Sequence, residues 1–213
     1  MFKIFLAAVL STGFLAGMTD AQVLSDNGQP LKYGARSVPR GLDLCNDYLS
    51  PRNYAGEPYR IVEKDRIVTR HEGMDFCAPA GTPVIAPVSG AIIWSVQDHP
   101  LRGGQVLIKT DFRVRLKAGS NESRPVYIGL VHMTPKRGLA RGQRVRAGDP
   151  IGVVQAAGLP EIGSRSHIHY TARICESHTC HIDPNMFWND GPGRVSCLGG
   201  ALPKGKIVAP YRC

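Results

Sequence analysis

Long apolar runs are missing from this chain. The longest, from Ile4 to Leu15, covers about a dozen residues, short of the roughly 18 that a membrane-crossing helix needs, so no membrane span is expected. Helical periodicity is missing as well. Outside that first run, no amphipathic stretch of helical period extends beyond about a dozen residues, which argues against a helical bundle. Acidic residues are few: 17 Asp and Glu stand against 26 Lys and Arg, a formal charge of +9. Such a surplus attracts polyanions in general. The basic residues are scattered through loop-like sequence (Lys136, Arg137, Arg141, Arg144, Arg146), and no nucleic-acid-binding signature accompanies them. A solvated basic surface is expected, and a nucleic-acid partner is not.

What is present begins with a targeting signature. Lys3 precedes the apolar run, and Thr19 and Ala21 occupy the two small-residue positions read by a signal peptidase. Residues 1–21 are therefore expected to be a signal peptide and Gln22 the mature N-terminus, which places the protein in the periplasm or outside the cell. A lipid anchor would need a cysteine after Leu15-Ala16-Gly17, where Met18 stands. About 190 residues remain, enough for one domain with its own core. All six cysteines (Cys45, Cys77, Cys175, Cys180, Cys197, Cys213) lie beyond the leader, and an even number in an exported chain favours disulfides. Fifteen pairings are open. The local choice joins Cys175 to Cys180, Cys197 to Cys213 and Cys45 to Cys77.

Residues 22–58 are polar and punctuated by Gly and Pro, and read as an arm laid over the domain, tied down at Cys45. From 59 to 188 the segments 83–86, 91–96, 105–109, 126–131 and 150–154 are short, β-branched and bounded by Gly, Pro or Asp. Many short strands predict an all-β domain, an antiparallel sandwich or barrel-like sheet. Residues 80–90 and 141–152 echo each other, each placing glycines at tight turns beside short apolar strands. Residues 189–213 form a Gly-rich tail that a disulfide to Cys213 would pin.

Three places can do chemistry. His71-Glu72-Gly73-Met74-Asp75 offers a nitrogen and an oxygen donor four residues apart. Gly73 and the Pro79-Ala80-Gly81 turn favour a strand end running into a turn, where both side chains curl onto one ion. Taken alone, the pair fits two surface residues equally well. In Ser166-His167-Ile168-His169-Tyr170 an extended chain would project both imidazoles from one face about 6.5 to 7 Å apart, with Ile168 turned to the core. His132 follows the apolar strand 126–131, where a strand leaves the sheet; a single histidine there is more often structural, and it gains meaning from company.

These residues carry a resemblance. His71 to Asp75, then Gly81 to Ala86 and Gly90, Val131-His132-Met133, Gly142 to Gly152, His167 to Tyr170 and Asp183-Pro184 together resemble the lysostaphin-type family of zinc murein endopeptidases, in order over residues 59–188. The resemblance implies one zinc ion held by His71, Asp75 and His169, with His132 and His167 as catalytic histidines off the metal. Three N and O ligands leave a fourth tetrahedral position open for water, the arrangement of a catalytic zinc site. It further implies peptidoglycan stem or bridge peptides as substrate and a monomer as the working form. A relative that has lost catalysis and activates other wall hydrolases is the alternative reading. The intact set of five positions argues against it. A phosphocarrier of similar fold with paired histidines is disfavoured by the leader.

Thr171 stands where that family usually has glutamate, and the polar segment 110–124 is long enough to border a groove. His178 and His181 flank Cys180 and could suggest a second metal site; in an oxidising compartment a short disulfide loop with two exposed histidines is the simpler reading. Cys77, two residues from Asp75, is likewise read as half of a disulfide and not as a nucleophile. Trp94 and Trp188 are read as core or groove wall, and His99 is given no role.

Overall fold

Alternating apolar segments of four to eight residues, bounded by turn formers, can hide their apolar faces only by pairing into a sheet. The computed structural model describes residues 21–23, 37–63, 66–115 and 121–213. The expected leader and most of the first half of the arm lie outside these residues, as does the middle of the 110–124 segment. Among the described residues there are thirteen strands: β1 Ala21–Val23, β2 Asp43–Asn46, β3 Ile61–Glu63, β4 Arg66–Val68, β5 Met74–Cys77, β6 Pro83–Ile85, β7 Gly90–Val96, β8 Gly104–Arg115, β9 Ser123–Pro135, β10 Arg144–Val145, β11 Pro150–Val154, β12 His167–Arg173 and β13 His181–Ile182. No α-helix interrupts them there; one 3-10 turn, Pro184–Met186, follows an Asp183 cap.

Eleven strands form one sheet with the path β10-β7-β8-β9-β12-β5-β2, and β3-β4 is a separate hairpin. Every pairing is antiparallel except β1 on β8. The all-β expectation is met. The two echoing stretches prove to be partners: β6 lies in the first, β11 in the second, and they pair with each other. Gly81 and Gly142, which enter them, turn with the same φ of 84°, a conformation that favours glycine.

The core follows from strand alternation. Ile168, Tyr170 and Ala172 of β12 point to the same side as Met74 and Phe76 of β5 and Ile128 and Leu130 of β9, and cluster there with Val84, Ile151 and Val154 of the β6 and β11 pair. Phe76, Tyr170 and Trp188 stack edge-on or tilted with ring centroids 5.7 to 6.1 Å apart; such contacts add to the large area that each ring buries. Trp188 is thus core. Trp94 instead packs on the outer face of the sheet against Ile93, Leu107 and Tyr127.

Arm and tail are both built into this body. β2 of the arm is the edge strand beside β5, and the tail buries Ile207, Val208, Ala209 and Tyr211, whose hydroxyl donates to the Phe76 carbonyl at 2.9 Å. The disulfides are Cys45 with Cys77, Cys175 with Cys180 and Cys197 with Cys213, the local pairing among the fifteen. Each restricts the unfolded chain by an amount that grows with the logarithm of the loop that it closes. Cys45 and Cys77 are 32 residues apart, Cys175 and Cys180 only 5. Replacing the Cys45 and Cys77 pair with serine should lower unfolding free energy by about 3 kcal/mol, and the shorter bridge by less. Urea unfolding of the two double variants checks the order.

Candidate metal centre

The site begins with two strands in register. His169 of β12 lies opposite Asp75 of β5 on one side and Val131 of β9 on the other, so Asp75, His169 and Val131 project in a row from the face opposite the core. Because side chains alternate along a strand, His167, Thr171 and Arg173 share that face with His169. The expected geometry of His167 and His169, with Ile168 fully buried in the core, is what the structure has.

His71 arrives differently. It stands in a turn that runs into β5, the reverse of the strand-into-turn order expected. Arm residues hold it: Leu49 N–H donates to the His71 carbonyl at 2.7 Å, His71 N–H donates to the Ser50 carbonyl at 3.0 Å, and its ring Nδ1–H donates to the Asp47 carbonyl at 3.0 Å. Asp47 is in turn reached by the Asn185 amide at 3.3 Å, and Asn185 accepts from the buried Trp188 indole at 3.0 Å. A chain of hydrogen bonds therefore links the core to one histidine ring. Gly73 is required here by close approach. A Cβ at that position would lie 2.6 Å from His169 Cε1 and 2.7 Å from the Tyr170 carbonyl oxygen.

The result is a small triangle of donor atoms. His71 Nε2 is 2.9 Å from His169 Nδ1 and 3.0 Å from Asp75 Oδ1, and His169 Nδ1 is 3.0 Å from the same oxygen. His71 Nε2 is an acceptor, since Nδ1 carries the proton given to Asp47. Even with a proton on His169 Nδ1, His71 Nε2 and Asp75 Oδ1 meet as two acceptors at 3.0 Å in a buried place, an arrangement that calls for a cation between them. Burial raises the Asp75 pKa, but the neighbouring His71, the hydrogen bond that His169 donates and the His167 ring more than offset it and hold the carboxyl well below its ordinary range. Two imidazoles and a carboxylate form the ligand set of a catalytic zinc ion, whose tetrahedral edges are about 3.3 Å. The triangle fits such an ion with an expansion of a few tenths of an ångström.

His132 and His167 flank the triangle. His132 does not leave the sheet, as expected, but sits inside β9 on a bulge: Val131 pairs with Gln105 and Met133 with Gly104, leaving His132 without an opposite residue at φ 67°. Bulges re-aim side chains in this way beside functional sites. Its Nδ1–H donates to the Arg102 carbonyl at 2.8 Å, as that of His167 does to the Arg165 carbonyl at 2.8 Å. The two rings meet edge to face, centroids 4.7 Å apart, each with Nε2 as the remaining acceptor. Burial, then His167 and His169, push the His132 pKa down to about 3. Burial likewise brings His169 to about 4, against the hydrogen bond that it donates to Asp75.

A groove of about 440 Å³ opens over these five residues. Tyr54 of the arm and Tyr59 at the start of the domain wall one side, with ring centroids 5.7 Å from His167 and 5.3 Å from His71. Neither is marked in the sequence, since nothing periodic distinguishes them from their neighbours. His178 and His181 need correction: they are not exposed loop histidines but half-buried lining of the far end of the groove. His181 Nδ1 lies 3.2 Å from Glu72. None of the described residues of the 110–124 segment lines the groove.

The sequence model of peptidase family M23 matches residues 69–184. No curated protein matches the chain. Among solved structures, a mutant catalytic domain of the prophage-encoded M23 protein EnpA from Enterococcus faecalis is similar at 23% identity, covering 70% of this chain and 94% of that one with a TM-score of 0.47. The catalytic domain of lysostaphin from Staphylococcus simulans matches at 21% identity over 74% and 90% of the two chains, TM-score 0.43. A zinc-containing peptidase from Vibrio cholerae matches at 21% identity over 64% and 35%, TM-score 0.40.

Two outcomes are expected. Gly73→Ala should displace His169 and lower affinity for zinc at least tenfold while leaving the far-ultraviolet circular dichroism unchanged; metal titration against a chromophoric chelator checks it. In chelator-treated protein, His132 and His169 stay neutral when folded and protonate from 6.5 downward when unfolded. The unfolded chain then binds more protons, so stability present above that pH is lost as pH falls towards about 4. Urea midpoints taken between about pH 7 and pH 4 should decline steadily across the window.

Proposed function

The chain belongs to peptidase family M23, and on that premise we propose that it is an exported, zinc-dependent endopeptidase that hydrolyses peptide cross-links of bacterial peptidoglycan. His71, Asp75 and His169 are its metal ligands, and His132 and His167 are its catalytic histidines. The observation that carries the reading is the buried triangle of three donor atoms with two further imidazoles turned to the same groove. Three disulfides support export, since such bonds persist in oxidising compartments.

A bound zinc ion supplies Lewis acidity, making water nucleophilic near neutral pH and polarising an amide carbonyl. The protein's own groups then divide the remaining work. With Nδ1–H committed to backbone carbonyls, His132 and His167 each present Nε2 to the groove, able to accept a proton from water or to pass one to the departing amine. His132 stays neutral at physiological pH because burial depresses its pKa, so it enters the reaction as an acceptor. Asp75 sits 3.7 Å from His167 Nε2 and stabilises the imidazolium that results once His167 is protonated. Tyr54 and Tyr59 narrow the groove and seat an extended peptide against the histidine face.

The assignment of roles is tested by two substitutions. His169→Ala should lose zinc and activity together. His132→Ala should keep stoichiometric zinc by atomic spectrometry and lose turnover about a hundredfold or more, the worth of a positioned acid or base. Digestion of purified peptidoglycan, with fragments identified by mass spectrometry, supplies the readout. A zinc-loaded protein that releases no fragments, or a fully active His132→Ala, would overturn the reading.

A further inference from the structure

One cation in the groove has no carboxylate in contact with it. Arg173 lies on β12 four residues beyond His169 and on the same face, only 1% exposed. Its Nε–H donates to Thr171 Oγ1 at 3.0 Å, while Nη1 is buried without a hydrogen-bond partner. Among the described residues no carboxylate pairs with it. Arg102, at the same end of the groove, is neutralised by Glu161 at 2.8 Å, and Glu72 is engaged by His181. Burial and the nearby Arg102, opposed by the more distant Glu72 carboxylate, lower the Arg173 pKa only to about 10, so the guanidinium keeps its charge at neutral pH.

The fold makes room for this group. Gly129 of β9 lies opposite Thr171, and a Cβ there would lie 2.5 Å from Thr171 Oγ1 and 3.0 Å from Arg173 Nη2. Glycine inside a strand weakens it, so the sheet gives up stability to seat the threonine and the arginine. Thr171 fixes the orientation by holding Nε, which leaves the Nη1 and Nη2 end for a planar anion. A buried unpaired charge is costly, and a carboxylate bound through two parallel N–H donors is the partner that best relieves it.

We propose that Arg173 is a specificity determinant that binds a free carboxylate of the substrate peptide, making the groove selective for cross-links that carry one, such as meso-diaminopimelate bridges, over uncharged glycine bridges. This rests on the peptidase reading above. Four residues of strand place the carboxylate site about 13 Å from His169, a span of about four extended residues of bound peptide.

The test uses two synthetic cross-linked peptides that differ only in whether the meso-diaminopimelate carboxylate is free or amidated, with the zinc-loaded full chain. Wild type should prefer the free carboxylate by about tenfold to a hundredfold in kcat/KM, chiefly through KM. Arg173→Met should lose that preference, cleaving the two peptides at similar rates, and Arg173→Lys should restore part of it. Equal rates on both peptides in wild type, or an equal loss on both in Arg173→Met and Arg173→Lys with zinc retained, would overturn the assignment. If wild type cleaves neither peptide, the hydrolase reading fails separately. Calorimetric binding of the uncleaved pair then decides: selective binding of the carboxylate peptide that Arg173→Lys weakens upholds the site, and equal binding overturns it.

Discussion

Three lone-pair atoms converge at about 3 Å in a buried place, and much of the architecture exists to keep them there. Asp75 and His169 are brought together by β-sheet register, the most rigid positional device that the chain has. A one-residue slip of β12 against β5 would turn His169 away from Asp75 and into the core. That slip is opposed from below, because Ile168 and Tyr170 would then face outward. The apolar core therefore does more than stabilise the domain. It sets which face of the sheet carries the donors.

His71 is under a different kind of control. Its turn has no ladder of its own and borrows order from residues 47–50, with Leu49 held at a positive φ of 59° to make the contact. Leu49 and His132 are the described non-glycine residues in that region of backbone space. Both lie beside the triangle, and both spend conformational energy of the order of 1 kcal/mol or more that the packed core must supply. The arm is thus part of the site: without its carbonyl at Asp47, the tautomer and angle of the His71 ring would be free.

Alternation in a strand is readable from sequence because it has a fixed period, and so the shared face of His167 and His169 and the burial of Ile168 were legible. The local cysteine pairing was legible for the same reason that it is plausible, namely short loops. The bulge at His132 left no trace. Its neighbours Val131 and Met133 are ordinary strand residues, and the irregularity arises from how they pair with Gly104 and Gln105 of β8, outside any local pattern. Tyr54, Tyr59, His178 and His181 were invisible as groove residues because their positions depend on how loops drape over the sheet. Local composition can show that a segment is a loop but not what it covers.

Arg173 shows how far one strand's alternation reaches. A residue type that almost never goes fully buried without a partner lies in a run of β-formers, on the face that carries His167 and His169. In sequence it reads as an ordinary polar position of an alternating strand. Only Gly129, opposite Thr171 on β9, distinguishes it, by leaving space for a guanidinium to lie flat on the sheet. Asp75, His169, the two further imidazoles and the buried cation are then held by β12 and its register partners β5 and β9, with no hinge between them, while His71 is added by the arm. His169 and Arg173 therefore cannot shift independently. On the proposed reading, a peptide anchored by its charge at one end of β12 is set at a fixed distance from the metal ligands at the other.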